Sequence, residues 1–482
     1  MTARHATRLI LAGLAAALSI APAAAQAKRY TDIKSPALPA FVVPQPQTFT
    51  LSNGLRVLLM EDHEIPVISV QTLVRTGAFD EPQNKIGLAR LTGAVQRTGG
   101  TTSMTGDAID DFLEARAAFV ETSIGGDAGT ASMNCLKQDF DDVFKVYLDV
   151  LRNPAFAQDK LDLAKVQANA AIARRNDNVG GITAREIARL VYGPDSPLAS
   201  IEQYATIAAI GRDDLVAWHK TYYHPNNMML GVAGDFDAKT MRPAIEKAFA
   251  SWPKGPAAQG AKVAFRTNPN PGVFFIEKPD VTQVNIAMAH LGLEQKNPDY
   301  FAAQVMNDVL GGGFSGRLMN AIRTKKGLAY GVQGGLGAAF DHPGLMRLGM
   351  QTKSASLFDA IAALKEEVAG IISNPPTDEE LSIAKESILN SFIFRYDSRS
   401  GILAQQMNYA YHGLPANYLE TYRANIDKVT KDDVVRVAKK YVHPNDLTLL
   451  VVGKAADFPK PLDALGKVTA WDISIPKQGA AN

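Results

Sequence analysis

Apolar and polar positions alternate along Val67-Ile-Ser-Val-Gln-Thr-Leu-Val74 and again along Val284-Asn-Ile-Ala-Met-Ala289. A period of two predicts strands, and each is followed by a turn and a helical pattern. A second pattern repeats more closely. Asp213-Asp-Leu-Val-Ala-Trp-His-Lys-Thr-Tyr-Tyr-His-Pro-Asn226 returns as Asp432-Asp-Val-Val-Arg-Val-Ala-Lys-Lys-Tyr-Val-His-Pro-Asn445, a constant offset of 219. In both copies a helix opens on acidic residues, meets a proline that stops it, and gives way to an apolar strand, Met228–Ala233 or Leu447–Val452, ending in glycine. A helix, a breaker and a strand repeated in this order predict two homologous domains of about 200 residues each.

The fold class expected is α+β, each domain a mixed or antiparallel sheet covered by helices. Alternation outside the helical runs predicts one solvated or chamber-facing sheet face and a helical layer on the other. The first domain is expected over residues 45–252 and the second over 273–470. A linker at 253–272 carries the Pro/Gly/Ala-rich stretch Pro253–Ala261, and a C-terminal tail covers 471–482.

The first residues are a separate object. Arg4 and Arg8 precede the apolar run Leu9–Ile20, which gives way to Ala21-Pro-Ala-Ala-Ala-Gln-Ala27, the layout of a secretory signal at 1–27, followed by an extension at 28–44. The run is too short for a membrane span. The expectation is an exported, periplasmic protein with no membrane anchor. Removing the signal takes two arginines and no acid, moving the formal charge from +1 to −1. With 50 Lys and Arg against 49 Asp and Glu, no charge excess points to nucleic acid or an anionic surface.

Cys135 is the only cysteine, so an intramolecular disulfide and a thiolate zinc site are excluded. At the end of a strand, it reads as a buried, inert thiol. His219 and His224 are five apart and lie on different helix faces, and His224 and His443 each precede a proline without a second ligand at helical spacing. Packing roles are expected for them, and exposure for His63 in a turn. Neither a G-x-S-x-G elbow nor a phosphate loop is present: Phe314-Ser315-Gly316 is not the first, and the glycines at 311–316 lack the Lys-Ser/Thr of the second.

Four segments carry a likeness: Asn53-Gly-Leu-Arg-Val57, Thr76-Gly-Ala-Phe-Asp-Glu-Pro82 running into Gly87-Leu-Ala89, Leu310-Gly-Gly-Gly-Phe-Ser-Gly-Arg-Leu318, and Arg323-Thr-Lys-Lys-Gly-Leu-Ala-Tyr330. In this order, with the duplication, the chain resembles the insulinase/pitrilysin family of zinc metallopeptidases, which includes mitochondrial processing peptidase. The resemblance spans about residues 45 to 455 and implies half of a clamshell chamber. The family's catalytic helix carries H-x-x-E-H after Gly-Leu-Ala: two imidazoles one turn apart grip zinc, and the Glu between them is the general base. Here those positions are Arg90, Gly93 and Ala94, and the later helix that brings the family's third ligand, Lys165–Asp177, offers Ala170 or Ala171. The expectation is no metal and no cofactor in this chain. Arg90 either holds carboxylates where a cation once sat or points into solvent.

The resemblance also implies that Arg323 and Tyr330 match an Arg/Tyr pair with which the family's second domain binds the substrate backbone and stabilises the transition state. Arg323 is expected in the last turn of a helix from Gly316, with Gly327 as its breaker and Tyr330 beginning the next strand. Arg317 is a further candidate for that surface, and Gly311, Gly312 and Gly313 are expected to form a chamber-lining loop or tight turn. Lost ligands with a retained pair imply a non-catalytic subunit that forms a heterodimer with a zinc-bearing homologue, acting on short or unfolded peptides captured along a sheet edge. The alternative is a non-enzymatic peptide-binding or scaffold protein of the same fold.

Overall fold

The computed structural model describes residues 43–256, 263–392, 394 and 398–476. The expected signal at 1–27 and most of the extension lie outside the described residues.

The first half runs β1 (Gln47–Thr50), β2 (Arg56–Glu61), β3 (Val67–Val74), α1 (Leu88–Thr98), α2 (Gly106–Glu114), β4 (Phe119–Ile124), β5 (Gly129–Leu136), α3 (Phe140–Arg152), α4 (Gln158–Arg174), α5 (Val179–Tyr192), α6 (Tyr204–Ala208), α7 (Arg212–Tyr222), β6 (Met228–Gly234) and α8 (Ala238–Phe249). The second half runs β7 (Gly272–Glu277), β8 (Gln283–Leu291), β9 (Leu293–Glu294), α9 (Tyr300–Gly311), β10 (Val332–Leu336), β11 (Ala338–Ala339), β12 (Leu345–Lys353), α10 (Leu357–Ser373), α11 (Asp378–Phe392), α12 (Arg399–Tyr411), α13 (Tyr418–Lys428), α14 (Lys431–Tyr441), β13 (Thr448–Gly453) and β14 (Val468–Ala470).

The duplication extends to the topology of both sheets except at one edge, where β1 is antiparallel to β2 but β14 is parallel to β7. The first sheet has the order β1-β2-β6-β3-β5-β4, and the second, read from its far edge, β14-β7-β13-β8-β12-β10. The strands of the repeated unit occupy the same place in both: β6 is parallel to β2 and antiparallel to β3, as β13 is parallel to β7 and antiparallel to β8. Both are central and buried along their whole length, which is why they read as continuous apolar runs.

Full burial of β6 and β13 confines the expected open face to the outer strands, where β4 and β12 alternate buried residues with exposed or half-buried ones. The cover on the second face comes from the other half. Helix α5 lays Ile182, Ile187, Leu190 and Val191 on Phe274, Ile276, Ala287, Ala289, Leu450 and Val452 of the second sheet. In return α12 lays Leu403 and Met407 on the first sheet, where a side chain at Gly231 would strike Met407. The two halves therefore share cores, and each sheet has helices on both faces over its central strands.

Three boundaries shift. Val43 is buried in the second half's core, and the Pro44 carbonyl accepts from the Gln406 amide at 3.1 Å, so the chain just before residue 45 packs on the second half. The linker expected at 253–272 ends earlier, because Gly272 opens β7. Its described end lies along α5, with the Arg266 backbone amide donating to the Tyr192 carbonyl at 2.7 Å. The described start of the expected tail packs on both halves. Trp471 packs edge-on against Phe274, and its indole donates to buried Glu186 at 2.9 Å.

Candidate functional site

Helix α1 carries the three positions that correspond to the metal-binding motif. It starts at Gly87, whose φ of +106° only glycine adopts without strain, and its first amides are met by a carboxylate: Glu81 accepts from the Gly87 and Ala89 amides at 3.1 and 2.7 Å. Arg90 leaves the first turn and grips Glu202 as a fork, Nε to Oε1 at 2.6 Å and Nη2 to Oε2 at 2.8 Å. The Glu202 carboxylate hydrogen-bonded to it raises the Arg90 pKa further. Burial pushes the Glu81 carboxyl up to about 7, against the pull of its two amide donors. The cation paired with the Glu202 carboxylate is thus a guanidinium.

Gly93, one turn on, faces β4. A Cβ there would collide with the Ile124 amide nitrogen and lie 2.7 Å from the Ser123 carbonyl carbon, so only glycine lets helix and strand meet this closely. The Thr122 hydroxyl donates to the Gly93 carbonyl at 2.7 Å across the same contact. Ala94 is half-buried, and on α4 both Ala170 and Ala171 are exposed methyl groups. The expected helix end at Asp177 comes sooner, at Arg174. Zinc needs imidazole, thiolate or carboxylate donors, and none of these five residues has one, so they do not fit the metal. Among the described residues, no group of three His, Cys, Asp or Glu could hold a metal ion.

Of the two recurring histidines, His224 is half-buried and His443 is exposed, its ring 5.5 Å from that of His290. His219 stacks on Tyr223 and contacts the Leu151 carbonyl at 2.8 Å, and burial lowers its pKa to about 4. The His443 amide donates to His290 at 3.1 Å. His63 is exposed, as its turn suggests, but is held 2.6 Å from Asp235. Burial pushes the Cys135 thiol up to about 12.

The second half presents a different surface. Residues Met319–Lys325 form a π-helix with Arg323 in its last turn, a wide coil that recurs at functional positions. The chain leaves it through Gly327 at φ +62°. Arg323 lies between two aromatic rings, its guanidinium carbon 4.4 Å from the Tyr330 centroid and 4.8 Å from that of Phe314. Tyr330 is 85% exposed and Phe314 72%. Among the described residues, no carboxylate lies within ion-pair distance of Arg323.

Three details correct the expectations for this segment. Tyr330 does not begin a strand, because β10 starts at Val332. Gly311 is the last residue of α9, not part of a loop, and a Cβ there would strike the Gly334 carbonyl of β10. Gly312 likewise packs on the Asp308 carbonyl, which leaves Gly313, at φ +59° with open space around it, as the one turn glycine of the three. Arg317 is not available to the surface: it forks onto Glu380 at 2.7 and 2.8 Å and donates to the Asn374 carbonyl.

Sequence reasoning did not single out Phe314 as a partner of Arg323, although it lies inside a quoted segment. Glu81 and Glu202 were also missed. Glu81 is nine residues before Arg90 and Glu202 is 112 after it, and no local spacing connects them.

A two-half α+β fold whose first half carries the metal helix without its donors defines a metallopeptidase-type scaffold. The chain belongs to the insulinase (M16) peptidase family. The family described as "Insulinase (Peptidase family M16)" matches residues 56–188, and "Peptidase M16 inactive domain" matches residues 209–388. Among relatives, a "Non-peptidase homolog YmxG" of Helicobacter pylori is 26% identical over 400 residues, which covers 82% of this chain and 91% of the relative. An "Uncharacterized zinc protease YmxG" of Bacillus subtilis is 22% identical over 361 residues, 74% of this chain and 86% of the relative. The crystal structure of a peptidase M16 inactive domain from Pseudomonas fluorescens superposes with a TM-score of 0.78 at 26% identity, covering 87% of this chain and all of that one. The periplasmic protease PqqL of Escherichia coli shares the fold, with a TM-score of 0.73 at 13% identity over 86% of this chain and 46% of its own.

Proposed function

We propose that this protein is the non-catalytic subunit of a two-chain peptidase, exported to the periplasm by the segment at 1–27 and paired there with a zinc-bearing homologue. This chain supplies Arg323 and Tyr330, and the partner supplies the metal site. The observation that carries the reading is the state of Arg323: it lies against two rings, and no described residue accepts from its N–H groups. A guanidinium so placed is suited to donate to the oxyanion that forms when a peptide carbonyl is attacked. The sealed contact at Gly93 complements it, since this half has no room for the general base.

The same sealed helix favours a second reading, a peptide-binding or scaffold protein without part in hydrolysis. The experiment is to purify this chain and a homologue bearing H-x-x-E-H and measure cleavage of short peptides by each alone and by the mixture. Activity that rises only on mixing, and falls with Arg323→Ala while the complex still forms, supports the subunit role. Equal activity of the homologue alone removes it and leaves the scaffold reading.

A further inference from the structure

Strand β12 alternates buried Met346, Leu348 and Met350 with Arg347, Gly349 and Gln351 on the opposite face. That face continues across the sheet, because Gln351 pairs with Asn285 of β8 and Gly349 with Gln333 of β10. Helix α5 covers part of it and stops short, leaving a cavity of about 560 Å³ bounded by Gly180 and Thr183 of the helix and by these strand residues. The volume is within the range of ligand sites, about 300–1,000 Å³.

The chemistry of the lining is one-sided. Among the described lining residues Arg347 has the only ionisable side chain, and the other polar groups are the amides of Asn285, Gln333 and Gln351 and the Thr183 hydroxyl. Arg347 has no carboxylate partner among the described residues. The Asn285 amide nitrogen is buried with no acceptor, a donor left without the bond it would need in a finished interior. Gly311, Gly331, Gly334 and Gly349 bring bare backbone to the wall. Gly331 follows Tyr330 in the chain, so the cavity begins where the Arg323–Tyr330 pair ends.

We propose that this cavity is a carboxylate-reading subsite for the bound peptide, with Arg347 as the specificity-determining residue. The proposal deepens the peptide-binding reading above and rests on it. An unpaired guanidinium takes a carboxylate as a two-bond fork, and the neutral amides around it can serve a peptide backbone of any sequence. The carboxylate is either the peptide's C-terminus or an Asp or Glu side chain.

The test is direct binding by fluorescence anisotropy, using the full-length protein and one labelled nonapeptide in four forms: free C-terminal acid, C-terminal amide, and the amide with a single internal Glu or Lys. The expected result is about tenfold to hundredfold tighter binding of forms that carry a carboxylate. The free-acid and Glu arms tell which carboxylate is read. Arg347→Gln should abolish the difference, Arg347→Glu should shift preference to the Lys peptide, and Lys353→Gln, on the same strand face outside the cavity, should change nothing. Unaltered melting temperatures confirm that the variants fold. Equal binding of all four peptides, or discrimination that survives in Arg347→Gln, overturns the subsite and leaves the peptide-binding reading standing. Failure to bind any of the four overturns both.

Discussion

Gly93 of α1 lies directly on the backbone of Ile124 in β4, so the position that would hold a general base has no volume for a side chain. The loss of the motif is therefore built into the packing. Restoring it with Arg90→His, Gly93→Glu and Ala94→His together should not restore a site. Overpacking of this contact costs about 1–3 kcal/mol, and the variant should melt lower and bind no stoichiometric zinc. Calorimetry with metal analysis checks this. A variant of unchanged stability holding one zinc per chain would contradict the packing.

The ring clamp on Arg323 separates positioning from chemistry. In the two-chain assay Arg323→Ala should lower turnover by about tenfold to a thousandfold, as for the loss of one oxyanion donor. Phe314→Ala leaves the donor but removes one wall, worth about 0.5–1 kcal/mol at an exposed site, so its effect should stay below about tenfold. Tyr330→Phe keeps the ring under the guanidinium and tests the hydroxyl alone.

Trp471 and Glu186 tie the C-terminal segment to the first half's α5. Glu186 is 1% exposed and is also held by Arg185 and Arg189 at 2.6 and 2.7 Å. Trp471→Phe keeps the ring against Phe274 but removes one hydrogen bond to a buried charge, an expected loss of about 1.5–3 kcal/mol in urea unfolding. A change of a few tenths would show that the arginines suffice.

Glu81 should make stability depend on pH. Burial raises its carboxyl from 4.5 to about 7, so between those values the folded chain holds a proton that the unfolded chain has released. Its contribution is fully present below about 4.5 and is lost as the pH rises through about 7. Relative to Glu81→Gln, the wild-type melting temperature should fall over that window. Parallel profiles would show that Glu81 does not titrate there.

Asp299 has the opposite sign. Burial alone would raise its pKa, but Arg436, Lys440 and the Tyr441 hydroxyl outweigh burial and hold it at about 2. Its stabilisation is complete above about 3.8 and is lost as the pH falls through about 2. Asp299→Asn should lower stability at neutral pH and flatten the acid limb of the unfolding curve.

Much of this was legible along the chain. The duplicated helix, breaker and strand announced two like sheets because local periodicity and proline placement are properties of neighbouring residues. The missing zinc donors at Arg90, Gly93, Ala94 and Ala171 were legible for the same reason: a helix face is set by spacing, and side-chain chemistry is set by residue type. The strand after Tyr330 and the role of Gly311 were misjudged because a glycine in a loop and a glycine under a strand look alike in one dimension.

What the amino-acid order determined by itself, then, is the pair of folding units and the lack of zinc donors at the motif positions of the first of them. Tertiary structure alone decided that α5 and α12 are exchanged between the sheets, that Arg90 meets Glu202 while Glu81 caps the start of the same helix, and that Arg323 stands beside two rings while Arg347 faces a cavity with no carboxylate partner among the described residues. These are contacts between residues far apart in the chain. Their free energy depends on what the fold brings within a few ångströms, and no pattern of neighbours encodes that distance.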